Sequence, residues 1–201
     1  IVFGDWSSDV CSSDLLDLCC GTGDLALCLR RLAPPGTRVS ALDFSPPMLA
    51  RAARKAAARG LPEIDFRLGD AAALPFPDGH FQALGIAFAF RNLTFRNPDR
   101  EAFLSEIRRV LEPGGRLVIV ETSQPARPPL RALFHAYLRW VSAPLGGLVS
   151  GHRGAYRYLA YSAANYWSLP ELTAFLLAAG FSRVAGRPLC GGIAALAVAE
   201  R

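Results

Sequence analysis

The sequence contains almost no lysine. Of its 22 basic residues only Lys55 is lysine and the rest are arginine, and the formal net charge is +5. The arginines are spread over most of the chain, which favours a GC-rich coding sequence as their explanation and argues against a nucleic-acid groove. No apolar run reaches the roughly 18 residues of a membrane span, and the composition excludes a disordered or collagen-like chain.

Cysteine and histidine are also scarce. The five cysteines form no CxxC pair, and they are too few for a disulfide scaffold in a chain of this length, so a reducing compartment is expected. The adjacent Cys19 and Cys20 and the scattered His80, His135 and His152 lack the spacing of a zinc site. We predict no metal site, and we expect the cysteine pair to serve in packing.

The first fourteen residues differ from the rest of the chain. They have neither the basic region nor the apolar core of a signal peptide. The stretch at 5–15, DWSSDVCSSDL, resembles the translation of a sequencing-adaptor oligonucleotide. We predict that residues 1–14 are non-native, with a natural polar arm as the alternative, and that residues 15–201 form one domain truncated at its first strand.

The remaining sequence alternates between strand and helix patterns. Strands are predicted at 15–20, 38–44, 64–68, 81–90, 116–121, 181–185 and 193–199. Helices are predicted at 24–32, 46–59 and 98–111, and another begins near Ser168. This order predicts an α/β fold, with a mostly parallel seven-stranded sheet and helices on both faces. Residues 125–166 are predicted as a substrate-side insertion after the fifth strand, helical at 129–141 and 155–164.

The first predicted strand runs into a glycine-rich turn. Residues 21–26 read GTGDLA and match the G-x-G-x-x-G/A fingerprint, in which glycines let the backbone approach a ligand at a helix N-terminus. Asp43 ends the second strand 20 residues after Gly23, where a carboxylate can accept two ribose hydroxyls. The alternative for the glycines is a turn without a ligand, and the alternative for Asp43 is a cap of the following helix.

Polar residues also follow the third and fourth strands. Asp70 and Ala71 follow the third strand, where they can contact an adenine edge or, alternatively, cap a helix. Arg91 and Asn92 directly follow the central strand, in AFAFRN. Ligands of open α/β sheets bind outside the carboxyl ends of the strands, so both residues fall where a substrate binds. The alternative for Arg91 is a surface ion pair.

These motifs together carry a resemblance to a known family. LLDLCCGTGDLA, ALDFSPPML, GDAAALPFPDGHF, AFRN and RRVLEPGGRLVIVE resemble class I S-adenosylmethionine-dependent methyltransferases, which have a Rossmann-like fold. ETSQP, AYRYLAYS, LLAAGF and LCGGIAAL narrow the resemblance to the ubiquinone/menaquinone biosynthesis C-methyltransferases. It implies a bacterial enzyme that uses S-adenosyl-L-methionine to methylate a polyprenyl quinol, with demethylmenaquinol favoured. The alternatives are a benzoquinol of the ubiquinone pathway and another small-molecule O- or N-methylation.

The resemblance also implies roles for residues. By position it carries over these cofactor-binding residues: Asp17, Gly21, Thr22, Gly23, Asp43, Asp70, Ala71 and Ala87. Ala87 stands where the family often has serine, which removes a hydroxyl contact. Gln82 replaces a usual aspartate, and Ala197 stands where members often have histidine. The resemblance also implies an N-terminal region that helps to cover the cofactor and acceptor, and we expect this sequence to lack it.

For the reaction itself, we expect Arg91 to favour deprotonation of a ring hydroxyl and Asn92 to position the acceptor. Tyr156 and Tyr158 are expected to line the ring pocket, with helix-core packing as their alternative. The arginines of the insertion predict a cytoplasmic enzyme that associates peripherally with the inner face of the cell membrane. They are Arg127, Arg131, Arg139, Arg153 and Arg157.

Two other classes of protein share part of this pattern. An NAD-dependent oxidoreductase has the same glycine fingerprint and the same acidic residue, but the sequence shows no recognisable set of hydride-transfer residues. A fragment that has lost its activity with its front end is the non-enzymatic alternative.

Overall fold

The computed structural model describes residues 14–61 and 63–201. Seven strands form one sheet in the order β3-β2-β1-β4-β5-β7-β6. Strands β1 to β5 are parallel, whereas β7 runs antiparallel to both β5 and β6. The strands are β1 (Asp14–Leu18), β2 (Arg38–Asp43), β3 (Asp65–Leu68), β4 (Phe81–Ala87), β5 (Leu111–Thr122), β6 (Arg183–Leu189) and β7 (Ala194–Glu200). The predicted mostly parallel seven-stranded sheet is confirmed.

Helices cover both faces of this sheet. They are α1 (Asp24–Leu32), α2 (Pro46–Ala58), α3 (Phe90–Thr94), α4 (Arg100–Val110), α5 (Pro128–Tyr137), α6 (Ala143–Ser150), α7 (Arg153–Ala164) and α8 (Leu169–Ala178). A π-helical turn at Leu138–Ser142 joins α5 to α6, and a 3₁₀ turn at Cys190–Gly192 joins β6 to β7.

Strand β1 shows why the sheet is buried on both faces. Leu16 and Leu18 lie in the core that α4 and α8 cover, whereas Leu15 lies in the core that α1 and α2 cover. Side chains along a strand alternate between faces, so buried leucines on both faces of β1 match a central strand between two helical layers. Phe81 and Phe90, both fully buried, each contribute roughly 1.5–3 kcal/mol to folding by their burial.

The chain between β5 and α8 forms the helical segment α5 to α7, at the carboxyl-end edge of the sheet. It has a small apolar core of its own, centred on Phe134, Leu138, Ala160 and Ala163. Helix α6 lies between the two helices predicted in the insertion, in a stretch interrupted by one proline and two glycines, APLGGLVS. The proline falls in the first helical turn, where no backbone donor is required.

The central strand is shorter than predicted. It ends at Ala87 because Phe88 adopts a left-handed conformation with φ of 57°, which interrupts the extended backbone. Helix α3 then begins at Phe90. The predicted strand over 81–90 was therefore wrong in its last three residues, which turn the chain at the edge where the candidate site lies.

Asp14, the last residue of the segment predicted to be non-native, is the first residue of β1. Its carboxylate forms an ion pair with Arg38 on β2, with 2.6 Å between Oδ1 and Nε. The other residues of that segment, 1–13, lie outside the described residues.

Candidate active site

The carboxyl ends of β1 to β4 lie side by side and bring the predicted cofactor-binding residues to one edge of the sheet. The Cys20 N–H donates to the Leu42 carbonyl at 3.0 Å, and the Gly69 N–H donates to the Asp43 carbonyl at 3.1 Å. These bonds continue the sheet pairing past the strand ends, so the three loops after β1, β2 and β3 are held together.

Asp43 is fixed by two backbone donors. Its Oδ2 accepts the Gly21 N–H at 2.8 Å, and its Oδ1 accepts the Ser45 N–H at 2.9 Å. The residue is buried, and each carboxylate oxygen keeps capacity for a further donor. The carboxylate is therefore preorganised to accept hydroxyl groups from a ligand beside the glycine turn.

The two glycines of the turn serve different purposes. Gly21 has φ of +53°, and a Cβ placed there would meet nothing within 4 Å. At Gly23, with φ of +77°, a Cβ would lie 2.9 Å from the Ala52 Cβ. Gly23 thus allows α1 to approach α2, whereas Gly21 leaves open space beside the Asp43 carboxylate. This open backbone next to a fixed carboxylate fits a nucleoside-containing cofactor such as S-adenosylmethionine.

Large exposed apolar side chains surround this edge. Phe44 directly follows Asp43 and is 78% exposed, Phe88 follows β4 and is 56% exposed, and Met48 lies in the first turns of α2. Aromatic faces suit contact with a flat ring such as adenine. The sequence interpretation did not single these residues out, although the position of Phe44 next to Asp43 was an available signal.

The other predicted cofactor-binding residues, after β3 and β4, differ in how far they are exposed. The exposed Asp70 uses Oδ1 to accept the Ala72 N–H at 2.9 Å, which stabilises the turn after β3. The Ala71 side chain is buried in the core, so only its backbone can meet a ligand. Ala87 ends β4 and is half-buried.

The hydroxyl of Thr22 is held by a lysine that the sequence interpretation missed. Lys55 reaches from α2 and places Nζ 3.0 Å from Thr22 Oγ1 and 2.9 Å from both Asp24 carboxylate oxygens. The ammonium group lowers the pKa of Asp24. A compact ammonium has three donors that suit this three-way contact, unlike the planar fork of arginine, which is the basic residue everywhere else in the chain.

Asp17 lies beneath the glycine turn. It is buried, and its Oδ2 accepts the Ala26 N–H at 2.8 Å. Burial raises the pKa of Asp17 to about 7, and the nearby Asp43 and Asp24 carboxylates raise it further against the opposing effect of the Ala26 hydrogen bond. Its role in the structure is to fix the first turn of α1 behind the glycines.

The raised pKa of Asp17 predicts a pH-dependent stability. The folded protein keeps the proton up to about pH 7, whereas the ordinary pKa of an exposed aspartate is 3.8, so stability falls as pH rises between these values. An asparagine at this position keeps an acceptor for the Ala26 N–H but carries no charge. We expect Asp17→Asn to gain stability relative to the unsubstituted protein as pH rises from about 4 to about 7, measured by urea unfolding across this window. A constant difference between the two proteins would contradict the prediction.

Arg91 lies in a buried ion pair rather than facing open solvent. Its backbone N–H donates to Glu121 Oε2 at 2.9 Å, and its Nε lies 3.7 Å from Glu121 Oε1. Its Nη1 donates to Ser162 on α7. Both charged side chains are more than nine-tenths buried. Arg91 is thus in an ion pair, as the predicted alternative had it, but the pair is buried and does not lie at the surface.

Asn92 faces a groove between α3 and α7 instead. The groove has a volume of about 360 Å³. Its lining residues are Asn92, Phe95, Arg96, Asn97, Pro98, Tyr158 and Tyr161. The structure therefore brings Asn92 and Tyr158 together, whereas Tyr156 packs on α6 with its ring where a side chain at Gly146 would be.

The cysteines at the strand end are unsuited to chemistry. Burial and the nearby Asp43 and Asp17 carboxylates raise the pKa of Cys19 to about 12, and a thiolate is the reactive form. Cys20 is buried against α1 and α2. Within residues 14–61 and 63–201, no group of three His, Cys, Asp or Glu side chains is placed to hold a metal ion. In the same residues no helix is long and apolar enough to cross a bilayer.

Comparison with known proteins gives a consistent set of relatives. The model of the ubiE/COQ5 methyltransferase family matches residues 4–201. Demethylmenaquinone methyltransferase of Thermus thermophilus is 50% identical over 187 residues, which are 93% of this chain and 82% of the relative. Ubiquinone/menaquinone biosynthesis C-methyltransferase UbiE of Methylobacterium nodulans is 41% identical over 182 residues, covering 90% of this chain and 71% of the relative.

Solved structures share the fold at low sequence identity. An S-adenosylmethionine-dependent methyltransferase from Aquifex aeolicus has a TM-score of 0.59 at 22% identity, and the match covers 94% of this chain and 81% of the Aquifex chain. The CurJ carbon methyltransferase has a TM-score of 0.70 at 18% identity, and the match covers 97% of this chain and 50% of the CurJ chain. The Rossmann-like methyltransferase fold is thereby established.

Proposed function

Because this chain belongs to the ubiE/COQ5 methyltransferase family, we propose that it methylates a ring carbon of demethylmenaquinol to give menaquinol. It is an S-adenosylmethionine-dependent C-methyltransferase of quinone biosynthesis. The specific acceptor is supported by the relatives from Thermus thermophilus and Deinococcus radiodurans, which are named demethylmenaquinone methyltransferase. A benzoquinol of the ubiquinone pathway is the second candidate, because the Methylobacterium nodulans relative is named for both pathways.

The observation that carries the proposal is the pairing of Gly21 with Asp43. In the proposed complex, Asp43 would accept the ribose hydroxyls, and the open backbone at Gly21 would receive the methionine part. Asp17 and Thr22 support this turn from behind. The loop at Asp70 and Ala71 and the end of β4 at Ala87 would hold the adenine, for which Phe44 and Phe88 offer exposed ring faces. When bound, S-adenosylmethionine supplies an electrophilic methyl group on a sulfonium.

The protein must orient the quinol and exclude water. The ring hydroxyl loses its proton to solvent, which makes the neighbouring carbon more nucleophilic. Transfer would form a bond from that carbon to the methyl carbon and leave the electron pair of the broken carbon–sulfur bond on sulfur. The ring hydrogen would then leave as a proton to solvent. An in-line displacement of this kind depends on alignment, which we expect Asn92 and Tyr158 to supply from the groove.

Arg91 acts by position in this proposal. Its charge is offset by Glu121 at 3.7 Å, and its bond to Ser162 ties α7 to the edge of the sheet. It therefore holds α7, which carries Tyr158, beside the groove that Asn92 faces.

An acceptor competition tests the proposed function. Purified protein receives S-adenosylmethionine with equal amounts of demethylmenaquinol and a ubiquinone-pathway benzoquinol, and the products are separated by mass. We expect methylation of the naphthoquinol with the larger kcat/KM. Preference for the benzoquinol would overturn the proposed acceptor. A tightly bound NAD with no binding of S-adenosylmethionine would favour the oxidoreductase.

We also propose peripheral contact with the inner face of the cell membrane, through α5 to α7. No Asp or Glu occurs between Glu121 and Glu171, whereas five arginines do. Arg139 lies 5.0 Å from the centre of the Trp140 ring. Exposed apolar side chains on these helices are Leu133, Tyr137, Trp140, Val141, Leu145, Leu148 and Val149. Basic and apolar groups together suit an anionic lipid surface.

Co-sedimentation with vesicles tests the membrane contact. We expect binding that increases with anionic lipid and decreases with salt, and Trp140→Ser to weaken it several-fold. The matched control is Leu32→Ser on α1, which removes an exposed apolar side chain far from these helices in sequence. Binding insensitive to both salt and anionic lipid would contradict the contact.

A further inference from the structure

The groove beside Asn92 contains one cation without a partner. Arg96 is exposed, and no described carboxylate forms an ion pair with it, in contrast to Arg91, which is paired with Glu121. The guanidinium carbon lies 5.5 Å from the centre of the Phe95 ring and 5.6 Å from that of Tyr161. Its charge is thus held between two aromatic rings and remains available to a ligand.

The backbone at Arg96 is strained. Its φ is +52°, a left-handed conformation that is uncommon outside glycine and costs of order 1–3 kcal/mol in sparsely populated regions. The preceding Phe95 N–H donates to the Arg91 carbonyl at 2.8 Å, so the chain leaves α3 at a fixed point. With this backbone conformation, the Arg96 side chain lines the groove beside the Phe95 and Tyr161 rings.

The groove adjoins the edge where the cofactor-binding residues meet. The Asn92 N–H donates to the Ala89 carbonyl at 2.9 Å, and Ala89 lies two residues after the end of β4. The Asn92 carbonyl in turn accepts the Asn97 side-chain amide at 3.1 Å. Asn92, which lines the groove, is thus only one helical turn away from the end of the central strand. Its hydrogen bonds connect the segment after β4 to Asn97 on the other side of α3.

We propose that Arg96 is the specificity-determining cation of the acceptor site, and that it binds the ionised ring oxygen of the quinol in the groove. This inference rests on the proposed function. The flat ring lies against Tyr158 and Tyr161, the Asn92 amide contacts its polar edge, and the guanidinium pairs with the oxygen. A neutral ion pair such as Arg91 with Glu121 provides much less net positive potential than this unpaired arginine.

The test compares Arg96→Gln with Arg96→Lys and with Arg100→Gln. Arg100 is a nearby exposed arginine on α4, paired with the exposed Glu101. The acceptor is a demethylmenaquinol with a short prenyl chain, which is assayed without membranes. We expect Arg96→Gln to raise the acceptor KM at least about tenfold, since charge-assisted hydrogen bonds are the strong ones, and to leave the Kd of S-adenosylmethionine unchanged. Arg96→Lys should recover part of the loss, and Arg100→Gln should behave as the unsubstituted protein.

Failure of this inference is distinguishable from failure of the proposed function. If the unsubstituted protein binds S-adenosylmethionine but methylates neither quinol, the proposed function fails. If it methylates demethylmenaquinol and Arg96→Gln matches it in KM and kcat, the role of Arg96 is overturned. Loss of binding to anionic vesicles with an unchanged KM would also overturn it, because the groove would then serve a lipid headgroup.

Discussion

Replacing Asp43 by alanine is expected to raise the Kd of S-adenosylmethionine by at least about a hundredfold. Two hydrogen bonds from ribose hydroxyls to a carboxylate are lost, each worth roughly 1.5–3 kcal/mol. The Gly21 and Ser45 N–H groups, which now lie 2.8 and 2.9 Å from Asp43 oxygens, also lose their acceptor, so the glycine turn becomes less ordered. Titration calorimetry measures the change directly.

Two further variants separate binding from folding. Asp43→Asn keeps one side-chain acceptor without charge, so we expect an intermediate Kd. Asp65→Ala removes an exposed carboxylate of β3 that pairs with Arg67, and it should leave the Kd unchanged. An Asp43→Ala protein that unfolds cooperatively and binds S-adenosylmethionine as tightly as the Asp65→Ala protein would remove Asp43 from the cofactor site.

Replacing Glu121 by glutamine is expected to lower the free energy of unfolding by about 3 kcal/mol or more. Glu121 is fully buried and Arg91 nearly so, and the substitution leaves the arginine charge without a partner inside the protein. Glutamine also cannot accept from both the Arg91 and Thr122 backbone donors, which now bond to Oε2 and Oε1. Urea unfolding of the purified protein measures the loss.

The control for this prediction is Glu101→Gln. That residue forms an exposed pair with Arg100, so its removal should cost less than about 1 kcal/mol. The double variant Arg91→Met with Glu121→Gln should recover part of the stability, since no unpaired charge remains. Equal losses for the exposed and buried pairs would contradict the account. If Arg91→Met leaves turnover unchanged, Arg91 has no part in the reaction, even by position.

The sequence was sufficient to predict the sheet and the cofactor edge because both depend on local patterns. Alternating apolar segments and helix signals determine a parallel sheet, and the strands of such a sheet end at one edge. The glycine turn after β1 and Asp43 at the end of β2 were therefore expected at the same edge, and in the structure a hydrogen bond of 2.8 Å joins them.

The lysine at the glycine turn and the arrangement of the acceptor side were less predictable, because both depend on tertiary contacts. Lys55 is 33 residues from Thr22, and nothing local indicates that their side chains meet. Arg91 is adjacent to Asn92 in sequence, yet the short helix α3 turns the arginine inward to Glu121 and leaves the asparagine at the groove. Phe88 and Arg96 have left-handed φ values at the two ends of this helix. Neither is glycine, so nothing in the sequence indicated these conformations.

The most direct test of the account is to identify the product formed from S-adenosylmethionine that carries a trideuterated methyl group. The purified protein is incubated with this donor and demethylmenaquinol, and the product is analysed by mass spectrometry and NMR. We expect menaquinol in which an intact CD₃ group replaces the hydrogen on the ring carbon. A product with the label on oxygen, or no labelled quinol while the protein binds the donor, would contradict the proposed reaction.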